Sequence, residues 1–167
     1  MINAHKFYTD IYKMFDSVTP LKKDCGVLCD GACCKDGETE RKGMLLFPCE
    51  EKLLKNKGYD IEISQWKYKD KKAYILYCNG SCNRTYRPLA CRIFPLTPYI
   101  KDDGSIKLIM NPLAKGICPL ARSLSPKQLE PEFVENVTKT LNRVSKLKGG
   151  KDFIRMLSSI SKDFLKF

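Results

Sequence analysis

The run "IEISQWKYKDKKAYILYC", residues 61–78, decides the fold. β-Branched and aromatic residues crowd both ends, and the polar tetrapeptide KDKK (69–72) separates them. That pattern predicts a β-hairpin whose second strand delivers Cys78 at its end. A second hairpin is expected from "PLTPYI" (95–100) and "SIKLIM" (105–110) around the turn KDDG. Upstream, "GMLLF" (43–47) reads as a short buried strand.

Helical patterns lie outside these strands. Residues 2–17 place Phe7, Ile11, Met14 and Phe15 on one face, and Pro20 closes the segment. Pro48 is expected to open a helix with Glu50 and Glu51 in its first turn and Gly58 at its end. Ser125 is an N-cap candidate, Pro126 fits the first helical position, and Pro131 is a point of restart. Phe133, Val134, Val137, Leu141, Val144 and Leu147 then recur at helical spacing until Gly149-Gly150. A last helix over 151–165 carries Phe153, Ile154, Leu157, Ile160 and Phe164. The expected fold is α+β. Cysteine-rich loops and short β-hairpins surround a metal site, with an N-terminal helix and a C-terminal helical hairpin. One domain spans 1–167, with a cysteine-bearing core over about 20–122 and the helical hairpin over about 125–167.

Composition narrows the function. The chain has 167 residues, 43% of them hydrophobic, and a chain of this length buries roughly 70% of its unfolded surface without staples. The first residues, "MINAHKFYTDIYKMF", lack the apolar core of a signal peptide, and the longest apolar run, "AYILYC", is far too short to span a bilayer. The expected location is a reducing cytoplasm, with no membrane association. Nine cysteines in such a compartment point to metal binding or catalysis ahead of disulfides. The net charge of +11 comes from dispersed lysines rather than a basic run.

Four of those cysteines fall in "CGVLCDGACC": Cys25, Cys29, Cys33 and Cys34. A second group, Cys78, Cys82 and Cys91, follows the first hairpin, and Cys118 lies beyond. These eight are the candidate metal ligands, and Gly26, Gly31 and Gly37 give the first loop freedom to wrap an ion. Thiolate suits zinc and iron–sulfur clusters alike, so the ligand set implies zinc or iron, a 4Fe-4S cluster included. Zinc-ribbon C-x2-C pairs are absent, and the first cluster has one residue too many for the C-x3-C-x2-C spacing of radical S-adenosylmethionine enzymes. Buried thiols and disulfides are the bland alternatives. Cys49 stands apart: at the second position of its predicted helix it reads as a half-buried spectator ahead of a reactive thiol.

The order C-x3-C-x3-CC, then Cys78 and Cys82, then "YRPLACRIFP" resembles the YkgJ-type cysteine-cluster family, described as a zinc- or iron-chelating domain. That family carries C-x2-C-x2-CC and a later R-P-x-x-C-R-x-F/Y-P. Cys25, Cys29, Cys33 and Cys34 correspond to the first element, with each gap one residue wider. Cys82, Tyr86, Arg87, Pro88, Cys91, Arg92, Phe94 and Pro95 correspond to the second. Cys78 resembles the cysteine that precedes it, and Cys118 a trailing one. More distantly the resemblance reaches the flagellin lysine methylase family, which implies a shared metal module and, as an alternative function, an iron–sulfur enzyme. Whether the chain is an enzyme stays open at this point.

Arg87 and Arg92 flank Cys91, and guanidiniums beside a thiolate site would stabilise its negative charge. Pro88, Pro95 and Pro98 stiffen that loop. His5, the only histidine, is expected in solvent, so no Ser-His-Asp or Cys-His catalysis can be built. No phosphate-binding glycine loop occurs. Trp66, Tyr68, Tyr74 and Tyr77 alternate with Lys67, Lys69, Lys71 and Lys72. This arrangement admits a zinc-stabilised nucleic-acid binder as a further alternative, though a half-buried sheet is favoured. No partner is specified.

Overall fold

The computed structural model describes residues 3–35, 41–78, 80 and 83–165. Helix α1 (Ala4–Lys13) begins where Asn3 Oδ1 accepts a hydrogen bond from the Lys6 amide at 3.1 Å. Tyr8, Ile11 and Tyr12 form its buried face, with buried Phe15 in the turn beyond, while Phe7 and Met14 are only half-buried. The helix is shorter than the expected 2–17, because the Met14 and Phe15 amides bond three residues back, to the Ile11 and Tyr12 carbonyls.

Strands β1 (Gly43–Leu45), β2 (Asp60–Tyr68) and β3 (Lys71–Tyr77) form an antiparallel sheet in the order β1-β3-β2. Leu76 lies opposite Met44 on one side and Ile61 on the other. The expected hairpin is therefore present, its turn reduced to Lys69 and Asp70, with Lys69 left-handed at φ 53°. A register shift between Ile63 and Lys67 breaks the alternation of β2 and leaves Ile63, Trp66 and Tyr74 exposed. Strands β4 (Leu96–Ile100) and β5 (Ile106–Met110) form the second hairpin, in register from Leu96–Met110 to Ile100–Ile106.

Four short helices lie among these strands: α2 (Gly26–Cys29), α3 (Glu51–Leu54), α4 (Leu89–Arg92) and α5 (Pro119–Ser123). The C-terminal pair, α6 (Pro131–Ser145) and α7 (Gly150–Leu165), packs together as expected. Gly149 takes φ 83° at the corner, and a Cβ on Gly150 would overlap the Val144 carbonyl, so both glycines are required there. Ser125 and Gln128 form a capping box around one 3-10 turn, and the long helix starts anew at Pro131.

Helix α7 joins the two sheets. Phe153 packs against Phe47 and Tyr68 at ring distances of 5.1 and 5.2 Å, and Ser158 Oγ accepts the Ile100 amide at 2.8 Å. On α6, Phe133 packs against Phe15 at 6.3 Å. Each such ring contributes about 2 kcal/mol by burial. The fold is α+β, with one buried cluster running from Tyr8 to Ile160. Among the described residues no helix is long and apolar enough to cross a membrane.

One local expectation fails. Pro48 does not open a helix: Cys49 is left-handed at φ 69°, and α3 begins at Glu51. The cause is Glu50, which turns inward and is fully buried. Its Oε2 accepts the Phe47 amide at 2.9 Å, and its Oε1 accepts the Leu89 amide at 2.6 Å and the Tyr12 hydroxyl at 2.5 Å. One carboxylate thus ties α1, the 46–50 turn and α4 together. Burial pushes its pKa up to about 7, against the opposing pull of those donors and of Arg92.

Candidate metal centre

The loop that opens the cysteine-bearing region is built on the surface. Asp24 Oδ1 accepts the Gly26 amide at 3.0 Å and its other oxygen pairs with Arg84, which fixes the entry to α2. After α2, Asp30 and Gly31 both turn left-handed, and a 3-10 turn over Ala32–Cys34 follows. Lys42 Nζ donates to the Ala32 carbonyl at 3.2 Å, and a Cβ on Gly80 would stand 3.5 Å from the Cys34 carbonyl oxygen. The loop is thereby laid against β1 and the segment after β3. No residue from 21 to 35 is buried, and Val27 and Leu28 are 84% and 61% exposed.

Three remote segments meet there. Cys33 and Cys34 from the first loop, Cys78 at the end of β3 and Cys91 on α4 line one cavity of about 580 Å³. Cys33 and Cys91 also line a neighbouring cleft with Cys25. Charge on Cys29 and on Cys118 reaches Cys25, and charge on Cys29 and Cys91 reaches Cys33. Seven of the eight candidate ligands therefore share one region: Cys25, Cys29, Cys33, Cys34, Cys78, Cys91 and Cys118. Cys82 lies outside the described residues. Cys49 is elsewhere, acting electrostatically on Tyr8 and Tyr68, which agrees with its lack of a counterpart in the motif.

No disulfide forms among the described cysteines. Nor, among the described residues, is any group of three or more His, Cys, Asp or Glu side chains gathered in a geometry that could hold a metal ion. The thiols are neighbours rather than a closed coordination shell.

Their electrostatics are uneven. Cys33 and Cys34 share a hydrogen bond that stabilises the thiolate of Cys34 and the thiol of Cys33. The Cys34 pKa is held down to about 6, first by that bond and then, against burial, by the charges of Arg87, Arg84 and Lys42. Cys25 is pushed up, chiefly by burial. A cationic surround of this kind favours thiolate over thiol, the protonation state that a soft metal requires.

The two arginines beside Cys91 differ. Arg87 lines both the cavity and the cleft and acts on Cys34, as the sequence suggests. Arg92 is buried, and its guanidinium spans carbonyls: Nε to Arg87 at 2.8 Å, one terminal nitrogen to Tyr12 at 3.2 Å, the other to Arg84 at 2.6 Å and Thr85 at 3.1 Å. It stacks 4.2 Å over the Tyr12 ring. Its effect on Cys91 therefore passes through the backbone of α4 rather than through charge at a thiolate. His5 is exposed on α1, as expected.

Sequence reading missed Glu50 and Tyr12. The aromatic pair Tyr8 and Tyr12, one helical turn apart on the apolar face, was the available sign that α1 carries hydroxyls into the core. No family model matches the chain, and no curated protein and no solved structure matches it either.

Proposed function

We propose that this is a thiolate metal-binding protein of the cysteine-cluster kind its motifs resemble, holding zinc or an iron–sulfur cluster. The observation that carries the reading is the convergence of Cys33, Cys34, Cys78 and Cys91, from three separate segments, on one cavity wall. Sulfur donors of this number fit zinc and iron and do not fit hard cations, which take oxygen. Arg87 and Lys42 supply the positive charge that offsets a thiolate array. A reducing, cytoplasmic setting follows from the same chemistry, since these thiols serve as ligands only while reduced.

The test is metal content and a visible absorption spectrum on protein purified without air. About one zinc per chain without colour supports a structural site. Iron with matching sulfide and a brown band supports a cluster. Cys91→Ser should lower the metal content while Cys49→Ser leaves it unchanged. Metal-free, folded protein carrying nine reactive thiols would overturn the reading.

The cavity beside the thiols favours a second reading, a metal-dependent enzyme, because it leaves room for a small molecule next to the sulfur atoms. The two readings part on the spectrum: an exposed cluster whose signal changes on adding a small-molecule ligand supports the enzyme, and a colourless zinc site counts against it.

A further inference from the structure

The cavity is larger than a metal ion needs, and most of its wall is not sulfur. Its volume of about 580 Å³ falls within the range of small-molecule sites. Met44 of β1, Leu76 of β3 and Phe94 after α4 make an apolar wall. At the other end Arg41, Lys42 and Arg87 bring three cationic side chains, and no Asp or Glu is among the described residues lining the cavity. Arg41 is pinned from outside by Asp60 at 2.8 Å, and Lys42 through its bond to the Ala32 carbonyl. The charges are therefore held in place rather than loose. A smaller pocket of about 130 Å³ shares Met44, Asn111 and Leu113 with it and continues toward Ile160.

We propose that this cavity binds an amphipathic organic anion, its carboxylate, phosphate or sulfonate head among Arg41, Lys42 and Arg87 and its apolar body along Met44, Leu76 and Phe94. The segregation of charge and apolar surface selects the class. A cation would meet three like charges, and a purely apolar ligand would leave buried cations facing hydrocarbon. The anionic head can add one or more charge-assisted hydrogen bonds, which gives it preference over a neutral head of equal length. The proposal deepens the metal reading, on which it rests for the role of the thiol wall, while the cavity and its charges stand on their own.

The test uses the full chain with methyl-labelled methionine, titrated with octanoate, octanol and octylamine, on protein as purified and after chelation. Octanoate is expected to shift the Met44 methyl resonance saturably and to leave Met156, buried on α7, unmoved. It should bind about tenfold tighter than octanol, and octylamine should not bind. Lys42→Gln should reduce that preference about tenfold. Leu113→Glu, at a position 51% exposed on the cavity mouth and therefore neutral for folding, should weaken octanoate by a similar factor. No shift of Met44, or octanol binding as tightly as octanoate, would overturn the proposal. Binding at the exposed Trp66–Tyr74 face would also overturn it, since Met44 would stay silent. The metal analysis reads independently: octanoate binding on protein without metal retains the cavity and sinks the metal reading, and metal without octanoate binding does the reverse.

Discussion

Helix α4 has two sides that are held in opposite ways. On one, the Leu89 amide, the Glu50 carboxylate and the Tyr12 hydroxyl close on one another in a fully buried knot, and Arg92 spends its donors on four carbonyl oxygens. On the other, Cys91 faces a loop in which no residue from 21 to 35 is buried. The first side draws its order from the chain's own polar and apolar contacts. The second has few such contacts, and its thiols are placed by what the first side holds rigid. Order at the cysteine-bearing loop is thus supplied from behind, through a helix of four residues. An expectation that metal removal would melt the centre of the protein gives way accordingly, because the apolar centre contains almost none of that loop.

The contrast can be broken first from the core side. Phe153→Ala removes the ring that joins Phe47 and Tyr68 and should cost about 4 kcal/mol in urea unfolding, as one cooperative transition. A local loss confined to α7 would contradict the single core. Glu50→Ala should cost about 3 kcal/mol, because it strands the Phe47 and Leu89 amides in the interior. An unchanged denaturation midpoint would show that water or neighbours replace the carboxylate.

The same residue gives the knot a pH dependence. The Glu50 pKa rises from 4.5 to about 7 on folding, so the folded chain binds that proton more tightly than the unfolded one. Its stabilising effect is complete below about pH 4.5 and is lost as pH rises through about 7. Urea midpoints at several pH values should fall across this window, and Glu50→Gln should flatten the fall. A midpoint that rises over the same range in both proteins would assign the dependence to other groups.

The smallest effect on global stability is expected on the thiol side. Chelation under reducing conditions should change the unfolding free energy by less than about 1 kcal/mol while speeding hydrogen exchange of the α2 amides. The amides of Leu54 and Leu89 should keep their protection. Loss of protection throughout would mean that the loop sustains the core after all.

Much of the architecture was legible in the sequence because it rests on local signals. Both hairpins follow from β-rich runs around short polar turns, and the α6–α7 pair from helical spacing broken at Gly149-Gly150. The pairing of β1 with β3 was not legible, since a three-residue strand carries no partner code of its own. Glu50 was misread for a physical reason: a carboxylate after a proline fits a helix start in solvent, and only the distant Tyr12 and Leu89 reveal that it is buried. The grouping of the cysteines was readable from their density. Their separation from Cys49, and the commitment of Arg92 to carbonyls, depend on the tertiary fold.

Arg92 fastens position 92 to the Tyr12 carbonyl, and Ser158 fastens α7 to Ile100. The chain therefore resists dissection. A fragment cut at about 20 and 122 would lose Tyr8, Tyr12 and Phe153 at once and expose Phe47 and Leu76 to water. The severed pieces would instead behave as complementing halves, insoluble apart and able to rebuild the knot when expressed together.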